Sequence, residues 1–108
     1  MTELHNLHLQ GGSLINYAFE VSPMDATFHP VAAVYVVTHQ EDTGNREHQV
    51  LFVGETQRMP EHLRDHAKAA CFTQHGVNCV GVHRLEDGTA RREALEDLIG
   101  EFHPPCND

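Results

Sequence analysis

The feature that most constrains this chain is an almost wholly apolar, β-branched run at residues 31–39, Val-Ala-Ala-Val-Tyr-Val-Val-Thr-His. A run of this kind is typical of a strand that is buried on both faces of a sheet. A polar turn follows at residues 41–45, and a second apolar run returns at residues 49–55. The pattern therefore predicts a β-hairpin at the centre of a small sheet.

Hydrophobic periodicity predicts two more strands and two helices around this hairpin. Alternating apolar side chains predict strands at residues 14–21 and 77–84. The first predicted helix covers residues 60–75, with a proline in its first turn. The second covers residues 89–102, with Thr89 as its N-cap. A small sheet with helices packed on it is an α+β domain.

The length of the chain bounds its organisation. A chain of 108 residues and 12.1 kDa predicts a single small domain. We expect a mixed β-sheet, made of the hairpin plus further strands, with two or more helices packed on it. Residues 1–30 are expected to be an N-terminal lead-in with one extra strand, of which residues 1–13 are loose. Residues 31–108 are expected to form the main domain.

Charge and cysteine content restrict the partners and the compartment. Seven Lys and Arg against 16 Asp and Glu give a net charge of −9, so the average field repels nucleic acid. No apolar run approaches the ~20 residues that span a bilayer, and the N-terminus lacks a signal-peptide pattern. We therefore expect no membrane association and a cytoplasmic location. Three cysteines without Cys-x-x-Cys spacing argue against a disulfide framework, and Cys71 and Cys79 are expected to be small buried hydrophobes.

Three short motifs point to a family. The first strand of the hairpin carries Tyr35, the second carries Phe-Val-Gly at residues 52–54, and Pro-Pro-Cys-Asn stands at residues 104–107. With two helices between and after them, residues 31–107 resemble the GIY-YIG nuclease superfamily. The resemblance implies phosphodiester cleavage, in which tyrosines and an arginine act on the attacking water and the phosphate. A glutamate in that family binds a divalent metal that acts as a Lewis acid.

The resemblance implies a catalytic set of seven residues: Tyr35, Phe52, Gly54, His62, Arg64, His66 and Asn107. Phe52 stands where the family has a tyrosine, so the hydroxyl is lost. His62 stands where the family has an arginine, and a histidine lacks the planar fork that grips two phosphate oxygens. Arg64 lies two residues further on. His62 and His66 are expected to share one face of the first helix.

The metal-binding position of the family also departs from its pattern. Leu95 occupies the glutamate position and extends an apolar stripe with Leu98 and Phe102. Glu96 is the neighbouring alternative as a metal ligand. Mg²⁺ or Mn²⁺ is expected if the protein is active, and no cofactor otherwise. Because losing a positioned acid or base costs ~10²–10⁴ in rate, these departures predict weak or absent cleavage.

The resemblance leaves three functions open. The first is a domain that binds DNA through a local basic patch, Arg58, Arg64 and Lys68, with an eroded catalytic centre. The second is an active endonuclease, dependent on Mg²⁺ or Mn²⁺, that uses Glu96 as metal ligand. The third is a non-catalytic module that binds a protein partner.

The histidine content suggests a further kind of site. His62 with His66, and Cys71 with His75, have the i, i+4 spacing that lets two side chains share one zinc ion. The two pairs are expected to face opposite sides of the first helix, so each needs a third ligand from elsewhere. Two residues of the predicted sheet are candidates for that ligand: His39 and His83.

Overall fold

The computed structural model describes residues 5–41, 48–63 and 66–107. In these ranges the chain forms strands β1 (His5–Gln10), β2 (Asn16–Pro23), β3 (Ala33–Gln40), β4 (His48–Thr56) and β5 (Cys79–Arg84). The helices are α1 (Ala69–Gln74) and α2 (Gly88–Phe102), and a 3₁₀ turn follows at Pro105–Asn107. Neither of the helices in these described ranges has the length and hydropathy of a membrane-spanning helix.

The strands form one sheet in the order β1-β2-β5-β3-β4. β5 is inserted between β2 and β3, so Val82 lies opposite both Glu20 and Tyr35. The predicted α+β class is confirmed. The described strands all pair antiparallel, so the sheet is not the mixed one that was expected. The segment predicted as a lead-in, residues 1–30, contributes β1 and β2 to this same sheet.

Strand β1 corrects the prediction that residues 1–13 are loose, because residues 5–10 form a strand; residues 1–4 lie outside the described residues. Leu7 and Leu9 alternate with polar residues, and Leu9 is buried. This alternation is a half-buried strand pattern that is short and weak in isolation. Pairing with β2 stabilises the strand, with Leu7 opposite Phe19. A hydrogen-bonding partner, rather than local propensity, therefore decides its structure.

Helix α1 is much shorter than the helix predicted at residues 60–75. The segment before it pairs with the loop that follows β2. The Phe28 N–H donates to the Glu61 carbonyl at 2.9 Å, and the Met59 N–H donates to the Val31 carbonyl at 2.8 Å. These backbone groups therefore form their hydrogen bonds with another loop and not within a helical turn. The prediction is therefore wrong for the residues before α1 that the structure describes.

Helix α2 confirms the predicted helix near the end of the chain. It ends at Phe102, and His103 adopts a left-handed conformation with φ 46°. The N-cap is Asp87 rather than Thr89, because the Asp87 carboxylate accepts a hydrogen bond from the Thr89 N–H at 3.3 Å. An N-cap oxygen of this kind satisfies one of the free N–H groups of the first turn.

Each face of the sheet carries its own apolar cluster, because side chains alternate along the central strand β3. We call one the Tyr35 face, with buried residues Phe28, Tyr35, Val37, Leu51, Met59, Leu63, Phe72, Val80 and Cys106. We call the other the α2 face, with buried residues Leu9, Phe19, Val34, Val36, Val50, Val53, Ala94 and Leu98. α1 and the 3₁₀ turn cover the first, and α2 covers the second.

A β-bulge in β4 adjusts the Tyr35 face. Val37 lies opposite Phe52, but Thr38 lies opposite Val50, so Leu51 is the extra residue. Leu51 and Phe52 consequently both pack on the Tyr35 face although they are adjacent in sequence. Phe52 faces Tyr35 by the regular alternation that precedes the bulge, and the bulge adds Leu51 to the same face.

Candidate functional site

Tyr35 and Gly54 lie opposite each other in the central hairpin. A Cβ atom added to Gly54 would lie 2.6 Å from the Tyr35 hydroxyl oxygen and 2.8 Å from Cε2 of Phe52. The two rings therefore occupy the space that any side chain at position 54 would need. The glycine of the second motif is explained by this close approach of two aromatic rings.

The Tyr35 hydroxyl is hydrogen-bonded to His66. Nε2 of His66 lies 2.8 Å from the hydroxyl oxygen, and Nδ1 of His66 accepts the backbone N–H of Lys68 at 3.0 Å. Because Nδ1 is an acceptor, the proton of the neutral imidazole stands on Nε2 and is donated to Tyr35. The Tyr35 hydroxyl thus retains its own proton for a further acceptor.

The environment keeps both groups neutral. Burial raises the pKa of Tyr35 to about 12, and the negative charge of Glu55 adds to the effect. Burial also lowers the pKa of His66, with a contribution from the positive charge of Lys68. The pair can therefore donate a hydrogen bond at neutral pH, but the tyrosine is a poor base and the histidine carries no charge.

Four rings form an aromatic cluster around this hydrogen bond: Tyr35, Phe52, His66 and Phe72. The ring centroids of Phe52 and His66 are 5.1 Å apart, at an interplanar angle of 76°. Phe72 is buried beneath them, whereas Phe52 and His66 are partly exposed. The cluster therefore places two partly exposed residues beside the buried Tyr35.

Two predicted residues are not part of this described cluster. His62 lies before α1, and its exposed imidazole is 3.9 Å from the Glu61 carboxylate. The prediction that His62 and His66 share a helical face is wrong, because α1 begins only at Ala69. Arg64 lies outside the described residues.

The side chain of Asn107, which was predicted to be catalytic, is hydrogen-bonded to the backbone of β4. Its Oδ1 accepts the Val53 N–H at 2.9 Å, and its Nδ2 donates to the Val53 carbonyl at 2.8 Å. Both polar atoms of the side chain are therefore engaged in holding the 3₁₀ turn against the edge of the sheet. These two hydrogen bonds give the Asn107 side chain a structural role.

Helix α2 places its side chains away from Tyr35. Leu95 packs against the cluster of the α2 face, as the apolar stripe predicts. Glu96 is exposed on the same helix. Since Tyr35 belongs to the cluster on the other face of the sheet, the structure does not bring Glu96 to Tyr35.

The other described carboxylates near this region do not complete a magnesium site. Glu55 accepts a hydrogen bond from the buried Arg91 at 2.9 Å. Glu20 is on the Tyr35 face, but Val82 separates it from Tyr35 by two strand spacings, roughly 10 Å. Mg²⁺ and Mn²⁺ require several oxygen ligands. Within the described residues, the surroundings of Tyr35 do not fit the metal that the family resemblance implies.

A cavity of about 730 Å³ opens on the Tyr35 face, between the loop after β2 and strands β2 and β5. Its lining includes six residues of mixed character: Glu20, Ser22, Phe28, His29, Val82 and Arg84. The sequence did not predict this cavity, because its walls come from segments about 60 residues apart. The sequence signal for a polar residue on this face was the alternation of Glu20 with buried residues of β2.

The cysteines differ from the prediction. Cys71 and Cys106 form a disulfide, with their Cα atoms 5.8 Å apart and 35 residues apart in sequence. Cys79 is a partly buried free thiol, and burial raises its pKa. The prediction of no disulfide is wrong because the bond depends on the packing of α1 against the 3₁₀ turn, which no local spacing encodes.

The predicted sheet ligands for a transition metal are engaged elsewhere. The Nδ1 atom of His39 lies 2.7 Å from the Gly76 carbonyl oxygen. The Nδ1 atom of His83 lies 2.9 Å from the Ala18 carbonyl oxygen. Instead, Cys106 supplies the third potential ligand atom near Cys71 and His75, with all three atoms within 4.8 Å of one another.

Comparison with known proteins adds no assignment to this geometry. A scan of protein-family models finds no match to the chain. Searches of curated proteins and of solved structures find no match either. The resemblance to the GIY-YIG superfamily therefore rests on the motifs of the chain itself.

Proposed function

We propose that this chain is a GIY-YIG-like domain that binds nucleic acid at the surface around Tyr35 and cleaves it weakly or not at all. The observation that carries the proposal is the hydrogen-bonded pair of Tyr35 and His66, set beside the half-buried ring of Phe52. It combines a protonated hydroxyl donor on the buried Tyr35 with partly exposed aromatic residues beside it. The motifs of the hairpin support the family, and the missing carboxylate supports the loss of cleavage.

The chemistry of the pair suits recognition better than hydrolysis. A tyrosine with a pKa of about 12 donates a hydrogen bond to a phosphate oxygen and does not activate water at neutral pH. Bases of a single strand stack on aromatic side chains, a contact worth ~1–3 kcal/mol per base. The rings of Phe52 and His66 offer such a surface.

Charge sets the expected strength of binding. Arg58 follows β4, and Lys68 follows His66, so two basic residues flank the cluster in sequence. Arg64, the third residue of the predicted basic patch, lies outside the described residues. Against a net charge of −9, a patch of this size predicts weak binding that is sensitive to salt.

The proposed setting is the cytoplasm. Thiol reductants keep cysteines reduced there, and disulfides are rare in cytoplasmic proteins. The bond between Cys71 and Cys106 would therefore be exposed to reduction in this compartment. Fractionation of cells that produce the tagged protein, combined with trapping of free thiols, tests the location and the state of the bond together.

Binding is tested by fluorescence anisotropy with labelled single-stranded, duplex and forked DNA at about 50 mM and about 200 mM salt. Tyr35→Phe removes only the hydroxyl and should weaken binding about tenfold or more, since a hydrogen bond to a charged group is worth ~1.5–3 kcal/mol. Tyr17→Phe is the matched control, because Tyr17 bonds Asp97 on the α2 side. Absence of binding at the lower salt contradicts the proposal.

Cleavage is tested on the same DNA with Mg²⁺ or Mn²⁺. We expect no product above that of the Tyr35→Phe variant. Metal-dependent nicking that Glu96→Gln abolishes would instead support the active endonuclease. That result would require α2 to present Glu96 to the substrate from the opposite face of the sheet.

A second candidate is the protein-interaction module, and one observation favours it. Leu14 and Ile15 form the tip between β1 and β2 with 73% and 54% of their surfaces exposed. Leu14 also holds a left-handed φ of 72°, which is rare for a leucine. Replacing both with serine should abolish recovery of a specific partner by cross-linking in cells while leaving DNA binding unchanged. Unaltered recovery argues against this role.

A further inference from the structure

We propose that Cys71, His75 and Cys106 form a zinc site when the disulfide is reduced, with two thiolates and one imidazole as protein ligands. Three potential ligand atoms of these residues lie within 4.8 Å of one another. Zinc binds sulfur at ~2.3 Å and histidine nitrogen at ~2.0–2.1 Å, so tetrahedral ligands are separated by roughly 3.5–3.8 Å. The spacing of the three atoms requires only small side-chain movements.

Hydrogen bonds in addition to the disulfide hold the elements that carry the ligands. Cys71 and His75 are joined by an i, i+4 hydrogen bond, from the His75 N–H to the Cys71 carbonyl at 3.1 Å. Cys106 is held near β4 because its neighbour, Asn107, is hydrogen-bonded to the backbone of Val53. Two separate elements therefore present the three side chains to one point.

The surroundings are compatible with a bound cation. Cys106 is buried, whereas Cys71 and His75 are partly exposed, so a metal can enter from solvent. Among the described residues, the His75 imidazole has no hydrogen-bond partner, and its nitrogens remain available. A water molecule completes a tetrahedron with three protein ligands.

Reduction and metal binding are two balanced steps. Two molecules of a thiol reductant give two electrons and two protons to the Cys71–Cys106 bond and become a disulfide themselves. The two cysteine thiols then lose their protons as the thiolates bind Zn²⁺. Oxidation of the pair would reverse this order and release the metal. The bound zinc would therefore replace the disulfide as the cross-link between α1 and the 3₁₀ turn.

The test measures zinc bound to the full chain. Protein equilibrated with Zn²⁺ and a non-chelating reductant, then gel-filtered, is expected to carry about one zinc per chain by mass spectrometry. The oxidised protein is expected to carry none. Cobalt substitution should give thiolate-to-metal charge-transfer absorption only in the reduced form. A reduced wild-type protein that retains no zinc overturns the proposal.

Variants identify the ligands. Cys71→Ser, Cys106→Ser and His75→Ala should each weaken zinc affinity by more than about 100-fold, because even outer contacts of a metal site are worth 10–100-fold. Cys79→Ser is the matched control and should leave affinity unchanged. The assignment is contradicted if Cys79→Ser loses as much zinc affinity as the ligand variants, or if His75→Ala keeps the full zinc affinity.

A last variant separates metal binding from the disulfide. Cys71→His keeps a zinc ligand but cannot form the bond to Cys106. We expect it to bind zinc under both reducing and oxidising conditions. If it fails to bind zinc while circular dichroism shows the wild-type fold, the proposed geometry is wrong.

Discussion

The side-chain amide of Asn107 pairs with both backbone polar groups of Val53, accepting its N–H at 2.9 Å and donating to its carbonyl at 2.8 Å. β4 is an edge strand of the sheet. Edge strands present backbone groups that other chains can pair with, and proteins commonly cover them. The 3₁₀ turn at the end of the described chain therefore covers part of this edge.

Replacing Asn107 with alanine is expected to destabilise the fold by about 1–3 kcal/mol, since two hydrogen bonds of ~0.5–1.5 kcal/mol each are lost. Urea unfolding followed by circular dichroism measures the change. Asn16→Ala, an exposed asparagine on β2, is the control and should change stability by less than about 0.5 kcal/mol. Equal effects of the two substitutions would argue against the role of the Asn107 bonds.

Two glycine substitutions should have opposite effects. Gly54→Ala places a methyl group against the rings of Tyr35 and Phe52 and should destabilise the fold by about 1–3 kcal/mol. Gly100→Ala lies in α2 with open space around it and should stabilise the fold by about 0.5–1 kcal/mol. Thermal unfolding of both variants measures the contrast. A neutral Gly54→Ala would mean that the rings move aside freely.

The pKa of His66 predicts a loss of stability in mild acid. Its pKa is lowered in the folded state, so the unfolded chain takes up the proton first, near its ordinary value of 6.5. The contribution of His66 is complete above that value and decreases as the pH falls towards the lower folded pKa. The slope is at most ~1.4 kcal/mol per pH unit.

This pH effect is measured as the difference in unfolding free energy between about pH 7.5 and about pH 5.5. His66→Gln, which does not titrate there, should show a smaller difference than the wild-type protein. His29→Gln removes an exposed histidine and serves as the control. An unchanged pH dependence in His66→Gln would show that burial does not penalise the charged imidazole.

Arg91 is expected to be the most costly charged residue to remove from α2. It is 4% exposed, bonds Glu55, and donates to the carbonyls of Leu85 and Glu86. Arg91→Met should therefore cost about 3–5 kcal/mol, because a partly buried carboxylate and two carbonyls lose their donor.

The neighbouring Arg92→Met is the control, since Arg92 is exposed and should change stability by less than about 0.5 kcal/mol. Combining Arg91→Met with Glu55→Gln should recover part of the loss, because no carboxylate is then left without its partner. Strictly additive losses in denaturant unfolding would count against coupling between the two residues.

Local patterns predicted the two paired strands of the central hairpin and the last helix well, whereas most of the predicted turn at residues 41–45 lies outside the described residues. The apolar run became β3, with Tyr35 opposite Gly54 of β4. The apolar stripe that includes Leu95 became the buried face of α2. These features follow from short-range periodicity, because a strand or helix repeats its buried positions every few residues.

Other features depended on partners that are distant in sequence. β1 is stabilised by its pairing with β2, and the segment before α1 by the loop around Phe28. Cys71 meets Cys106 only because α1 and the 3₁₀ turn pack on one face. No spacing within a short window carries this information.

The sequence by itself determined which apolar residues of the hairpin and α2 pack against the sheet, and it contained the motifs on which the resemblance to a nuclease family rests. Only the tertiary structure decided which face of the sheet each element covers. As a result, Glu96 lies on a helix that covers the face opposite Tyr35, whereas Cys71, His75 and Cys106 lie close together. The physical reason is that periodicity specifies an apolar surface, whereas the surface that packs against it is selected by the shape and chain connections of the whole domain.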